Sequence, residues 1–380
     1  MVHQYWLLAL PILVLDAAQG VVAIPGSHAR KSNPSPPGLH VLPLIEDNSD
    51  DYHSWIAEVA AGTPPQKMKL NLDIAKSTTW FISDKTFAEC DGCNDGYYQL
   101  NKSKTSSPIL GHTAVSYGDP TTYPPSNQTF DLDFHKDTFN IAGVSIPKQV
   151  FGLFNPYKDE FSGIGGLALG PNVEHGYAPG KIYSSFLDNL VAKKKIASRT
   201  YSIDLHEHGS KPGKSFCCLR QTTPKGKNHA SEVTSYEVHK NDSVFLLDSS
   251  NQYLRFRHSF VDPLYKTLGA VNDGHDAYFV PCEKRNMPGS WDFQFGDVTI
   301  KIPYNKIITT QSADKGKTCW VGVLTTWKGQ LVLGQPFLEA AYLAFDLDNK
   351  QVALAPPANC GEKLVAFGSG PNAIPNLKGC

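Results

Sequence analysis

An excess of charge of either sign is missing from this chain. Lys and Arg number 35 against 36 Asp and Glu, a formal net charge of −1, so no electrostatic footprint for nucleic acid or an anionic membrane is present. No long apolar run follows Leu15, which excludes a membrane-spanning helix, and the C-terminus is not a lipid-anchor tail. Cysteine and histidine do not cluster at metal-ligand spacing. Cys90-Asp-Gly-Cys93 has no partner pair elsewhere, so neither a metal nor another cofactor is expected. What remains is an ordinary globular composition, 41% hydrophobic and 19% charged. At 380 residues the chain can bury a large core in two domains or lobes. Many glycines and prolines, with short alternating runs of Val, Thr, Tyr and Phe, favour mainly β structure.

The N-terminus has the look of a secretory leader. Tyr5–Leu15 is apolar but short, and the small residues Ala18, Gly20 and Ala23 suit cleavage near Gly20 or Ala23. The expected organisation is a signal peptide over 1–23 and a Pro- and Ser-rich linker or short pro-segment over 24–40, with ordered structure beginning near Val41. Eight cysteines fit an oxidising compartment. Cys282 and Cys319 bracket a β region and are the expected disulfide. Cys90 with Cys93 can form a small loop, whereas adjacent Cys217 and Cys218 would face opposite sides of a strand. The pairing of Cys360 and Cys380 stays open. Sequons at Asn101, Asn127 and Asn241 fit passage through the secretory pathway, to an extracellular or vacuolar destination.

Two stretches carry most of the information: Leu72-Asp73-Ile74-Ala75 and Leu247-Asp248-Ser249-Ser250. Each is an apolar strand running into an aspartate. Each is followed at similar spacing by an apolar-Gly element, Gly163-Ile164-Gly165-Gly166 in the first case and Val332-Leu333-Gly334 in the second. Such a long-period repeat suggests a duplicated fold. Strands are expected over Tyr52–Val59 and Lys67–Leu72, around the turn Gly62-Thr63-Pro64-Pro65. A hairpin is expected where Thr113–Tyr117 runs into Gly118-Asp119-Pro120. Short helices are expected over Ile182–Lys195, Phe260–Leu268 and Phe337–Ala341.

Taken together, these features resemble the pepsin-like aspartic proteases over about residues 41–358. Ala61-Gly62-Thr63-Pro64-Pro65-Gln66 is similar to the family's Gly-Thr-Pro-Pro-Gln turn, and Trp80 stands where the family has its tryptophan. Tyr117-Gly118 resembles the flap tyrosine and its glycine. Phe161-Ser162-Gly163-Ile164 resembles Phe-Asp-Gly-Ile, and Leu333-Gly334-Gln335-Pro336-Phe337-Leu338 with Phe345-Asp346-Leu347-Asp348-Asn349-Lys350 matches the C-terminal signature. The resemblance implies a mainly β, bilobal fold with a central cleft, a flap hairpin and a six-stranded sheet beneath. It places an N-terminal lobe over 41–215, a C-terminal lobe over 216–358 and a tail over 359–380. A peptide or small-molecule ligand would lie in the interlobe cleft. The chain does not specify an oligomeric state.

The resemblance also implies the chemistry. Two aspartates share one proton because both cannot comfortably ionise, and together they hold a lytic water. In the family's Asp-Thr-Gly, the threonine hydroxyl locks the two loops together and the glycine lets a backbone amide approach the carboxylate. Asp73 and Asp248 are both here, but their surroundings differ. Ile74 offers no hydroxyl, Ala75 adds a methyl where the dyad water would sit, and Lys76 puts a cation beside Asp73. In the second loop Ser249 keeps a hydroxyl, while Ser250 and Asn251 replace the residues after it. Tyr117, Gly118 and Asp119 form the flap tip, and Pro120 stiffens it. These residues point away from rapid proteolysis. The expectation is a secreted protein doing acid–base chemistry, such as cyclisation or isomerisation, through Asp73 and Asp248, or binding a ligand only. The alternative is an active acid endopeptidase.

Overall fold

The computed structural model describes residues 21–24, 38–47, 54–83, 96–119, 126–154, 165–170, 183–205, 245–274, 277–296, 298–312, 317–326, 329–357 and 366–374. The chain starts with strands β1 (Val21–Ile24), β2 (Leu39–Val41), β3 (Leu44–Asp47), β4 (Ser54–Ala61), β5 (Gln66–Asp73) and β6 (Trp80–Ile82). Next come β7 (Ser107–Asp119), β8 (Ser126–Ile141), β9 (Val144–Phe154), β10 (Gly165–Ala168) and β11 (Thr200–Asp204). The second half has β12 (Phe245–Leu247), β13 (Leu254–Phe256), β14 (Val271–Asn272), β15 (Tyr278–Pro281), β16 (Ser290–Phe295) and β17 (Val298–Pro303). It continues with β18 (Ile308–Ser312), β19 (Thr318–Val321), β20 (Val323–Thr325), β21 (Leu331–Leu333), β22 (Tyr342–Asp346) and β23 (Gln351–Ala355). Three longer helices span Phe186–Ala192, His258–Leu268 and Gln335–Glu339, each overlapping an expected segment.

The architecture is the expected mainly β, two-lobed one. The first half builds an eight-stranded sheet whose main path is β10-β5-β4-β8-β9-β6. Its pattern is readable in β5, where Met68, Leu70 and Leu72 are buried while Lys67, Lys69 and Asn71 take the other face. Gly62 turns β4 into β5 with φ near +97°, a conformation that favours glycine. β7 and β8 form the long flap hairpin. The second half builds the order β12-β21-β13-β20, a separate four-stranded sheet β14-β15-β19-β18, and the hairpin β16-β17. Cys282 and Cys319 are bonded, as expected, with Cα atoms 4.8 Å apart, tying the end of β15 to β19.

A further sheet, β2-β1-β11-β22-β23, joins the halves. It has five strands among the described residues rather than the six that the resemblance implies. Ordered β structure also begins before Val41. β1, with the β-branched Val21, Val22 and Ile24, pairs in parallel with both β11 and β2, because such residues suit a strand pairing. One hydrophobic core then runs through both halves, taking in Leu72, Ile74, Tyr201, Leu254, Phe337 and Phe345.

Candidate active site

The two aspartates emerge from equivalent frames. Asp73 ends β5, which lies parallel to β10, and Asp248 follows β12, which lies parallel to β21. Each aspartate bonds through its backbone to the neighbouring strand, but in opposite senses. The Asp73 carbonyl accepts from the Leu169 amide (2.7 Å), while the Asp248 amide donates to the Leu333 carbonyl (3.2 Å). Three residues on, the Gly170 amide donates to the Lys76 carbonyl and the Gln335 amide to the Asn251 carbonyl, both at 2.8 Å. The approach is close enough to require glycine. A Cβ on Gly170 would lie 2.6 Å from the Lys76 carbonyl oxygen, and one on Gly334 would lie 2.1 Å from that of Tyr253. Both aspartates thus leave strands in parallel pairs whose partner chains return with the same amide-to-carbonyl bond three residues on.

The loops meet at the seam. Ser249 Oγ donates to the Leu72 carbonyl (2.6 Å) and accepts from the Ile74 amide (3.1 Å). Gln335 Nε2 donates to the Ser249 carbonyl at 3.0 Å and steadies that residue from below. Ile74 is buried in the core and makes no such reply with its side chain.

The carboxylates differ in their support. Asp73 is 1% exposed, and its Oδ1 accepts from the amides of Ala75 (3.0 Å) and Lys76 (2.9 Å). Its Oδ2 is buried and has no hydrogen-bond partner among the described residues. Asp248 is partly exposed, and its Oδ1 accepts from both the amide (3.0 Å) and the hydroxyl (2.6 Å) of Ser250. Burial, and then the charge of Asp248, push the Asp73 carboxyl up to about 7. The Lys76 cation and the two backbone amides pull the other way and are outweighed. A buried carboxyl that keeps its proton beside a second carboxylate is the electrostatic condition for one proton shared by two groups. The arrangement can hold one acid and one base at the same place.

The rest of the expected site is only partly gathered here. The backbone of Tyr117, Gly118 and Asp119 pairs with Gln128, Asn127 and Ser126 at the end of the flap hairpin. Their side chains lie outside the described residues, as do 120–125. Trp80 is buried between Phe130, stacked at 5.5 Å, and Phe154, edge-on at 5.8 Å. Asn251 uses its side chain locally, accepting from the Tyr253 amide at 3.1 Å. Asn101 is exposed beside a 3-10 turn, whereas the side chain of Asn127 and all of Asn241 lie outside the described residues. So do Cys90, Cys93, Cys217, Cys218, Cys360 and Cys380. No described helix is long and apolar enough to cross a membrane.

Sequence reasoning does not single out Gln335 as a support of the second dyad loop. It enters there only as part of the C-terminal signature, and its position directly after Gly334 is the available signal.

Comparison with known proteins agrees with this geometry. The family model for eukaryotic aspartyl protease matches residues 54–357. The acid protease of Saccharomycopsis fibuligera is 24% identical, over 80% of this chain and 81% of its own length. Candidapepsin of Candida tropicalis is 26% identical over 82% and 83%, and mouse gastricsin 24% identical over 80% and 81%. With paired strand-end aspartates, a flap hairpin and a family match spanning most of its length, the chain belongs to the eukaryotic aspartyl protease family.

Proposed function

We propose that Asp73 and Asp248 work as an acid–base pair on a peptide or peptide-like ligand laid in the interlobe cleft, tuned for proton transfer more than for fast hydrolysis. The observation that carries this reading is the buried Asp73 carboxyl, raised to about 7 beside Asp248. Toward neutral pH the Asp73 carboxyl then keeps a proton it can donate, with a second carboxyl group beside it to take part in the transfer. Slow hydrolysis follows from the first loop. Ile74 does not tie its loop back with its side chain, Lys76 stands where it opposes proton sharing, and Ala75 adds a methyl group. Displacing a lytic water by about 1 Å costs on the order of 100-fold in rate.

A second reading, aspartic-type endopeptidase, is favoured by one specific feature: Ser249 still bridges Leu72 and Ile74. The relatives named above, an acid protease and a candidapepsin among them, lend it weight. The deciding experiment is cleavage of a denatured protein between about pH 3 and pH 6, with pepstatin as control. Little pepstatin-sensitive cleavage is expected, together with a cellular product that is lost in both Asp73→Asn and Asp248→Asn. Efficient pepstatin-sensitive cleavage would establish the second reading. A product unchanged in both variants would reduce the pair to a binding role.

The same proposal takes the chain through the secretory pathway, to an extracellular or vacuolar site. A leader cut after Gly20 leaves β1 whole, whereas a cut after Ala23 falls inside it. The lobes divide near 215, and Asn101, Asn127 and Asn241 are glycan acceptors in this reading.

A further inference from the structure

The chain continues past residue 357, where the family match ends, and residues 366–374 fold back onto the sheet that joins the lobes. Alternation along β22 prepares the place. Leu343 and Phe345 enter the main core, so Tyr342 and Ala344 point to the opposite face of the sheet. There Phe367 is buried with Leu39, Tyr342 and Ala344, and Ala353 and Ile374 pack around them in a cluster separate from the main core. The small side chains of Ala344 and Ala353 leave room for the ring. Two directional bonds fix the register. Ser198 Oγ, just before β11, donates to the Gly368 carbonyl at 3.2 Å, and Asn349 Nδ2, in the turn between β22 and β23, donates to the Gly370 carbonyl at 2.8 Å. Asn349 is itself held by Asp346, whose carboxylate accepts both its side-chain amide (2.7 Å) and its backbone amide (3.0 Å). The segment also closes on itself. The Gly368 amide donates to the Ala373 carbonyl (2.7 Å), and the Ala373 amide donates to the Gly370 carbonyl (3.1 Å).

We propose that residues 366–374 are a strap that locks the joining sheet from the face away from the main core and limits how far the two lobes open around the cleft. The sheet is where the lobes meet. β11, from the first half, pairs antiparallel with β22, from the second, so rotation of one lobe against the other must bend or shear this sheet. Its outermost strands are β2 and β23, and the cluster takes Leu39 from one and Ala353 from the other. The strap therefore acts across the full width of the five strands, about 19 Å at the usual spacing. Ser198 and Asn349 give it one polar anchor on each half. Bending the sheet would part these anchors or draw Phe367 from its place, and the packed cluster resists both. The strap does not depend on the protonation of Asp73 or Asp248.

The test is Phe367→Ala in the full-length protein, read in two ways. Amide hydrogen exchange reports local opening, and it should accelerate at least about tenfold in β2, β23 and residues 366–374 while the β14-β15-β19-β18 sheet keeps its rates. The second reading is the distance between spin labels carried on p-acetylphenylalanine at two exposed positions, 58 on β4 in the first half and 301 on β17 in the second. Its distribution should widen in the variant. An unchanged distribution would overturn the proposal and leave the segment a surface covering with no hold on the lobes. Faster exchange spread evenly over both lobes would also overturn it, because that is a general loss of stability. If Phe367→Ala does not fold, Phe367→Leu combined with Ser198→Ala trims the ring and removes one anchor, and the same two readings decide in the same way.

Discussion

Ser249 and Ile74 face each other across the seam, and only Ser249 bonds through its side chain. Its hydroxyl donates to the Leu72 carbonyl at 2.6 Å and accepts the Ile74 amide at 3.1 Å, while Ile74 gives back an apolar side chain to the core. The dyad loops are thus tied from one side.

Removing that tie has a definite expected effect. Ser249→Ala leaves a carbonyl and an amide unbonded in a buried seam, at a cost of about 1–3 kcal/mol for each group. Denaturant unfolding should show a loss of about 3 kcal/mol, and Ser249→Thr should keep most of the stability. A Ser249→Ala protein as stable as its parent would mean that the seam is held by something else.

Rebuilding the first loop should move the chemistry toward hydrolysis. The triple change Ile74→Thr, Ala75→Gly, Lys76→Ser supplies a second cross-loop hydroxyl, removes the methyl group and withdraws the cation near Asp73. Pepstatin-sensitive cleavage of a denatured protein is expected to rise at least about tenfold. No gain in a folded triple variant would show that the block lies elsewhere, with the flap the next place to look.

Burial of Asp73 makes stability depend on pH. Its carboxyl titrates at about 7 in the folded chain against 3.8 when unperturbed. The folded state therefore binds this proton more tightly than the unfolded one. The resulting stability is full below about pH 4 and is lost as pH rises through 7. Asp73→Asn has no such dependence. Its melting temperature should exceed the parent's by a few degrees near pH 8, with the gap closing below pH 4. Equal melting curves at both pH values would contradict the burial argument.

The disulfide gives a prediction independent of the site. Cys282 and Cys319 close a loop of 37 residues' separation, and chain entropy assigns such a cross-link about 4 kcal/mol. A Cys282→Ser, Cys319→Ser pair should lose about that much in denaturant unfolding, with the dyad titration unchanged because the bond lies on the β14-β15-β19-β18 sheet rather than the dyad sheets.

The fold was legible because its signals are local. A strand that alternates Met68, Leu70, Leu72 and then ends on an aspartate can be read in one line, and so can the glycine that turns β4 into β5. Ser249 was identifiable as the surviving hydroxyl. What a single sequence could not show was which distant groups share a buried space. Gln335 reaches the second dyad loop from another element and bonds the Ser249 carbonyl. Asp137, on β8, is buried and gathers the hydroxyls of Tyr98, Ser103 and Thr105 and the amide of Thr138, fastening the root of the flap hairpin. That carboxylate looks like any solvated charge until the fold brings its donors together. Likewise residues 21–24 read in sequence as the end of a leader and the start of a linker, because the worth of β1 lies in pairing with strands far along the chain.

The central claim is that Asp73 and Asp248 share one proton, and titration of Asp73 by carbon NMR in the parent and in Asp248→Asn tests it most directly. The account predicts a carboxyl titrating near 7 in the parent and at lower pH once the Asp248 charge is gone, since that charge is one of the two causes that raise it. An Asp73 carboxyl titrating near its unperturbed 3.8, or one indifferent to Asp248, would contradict it.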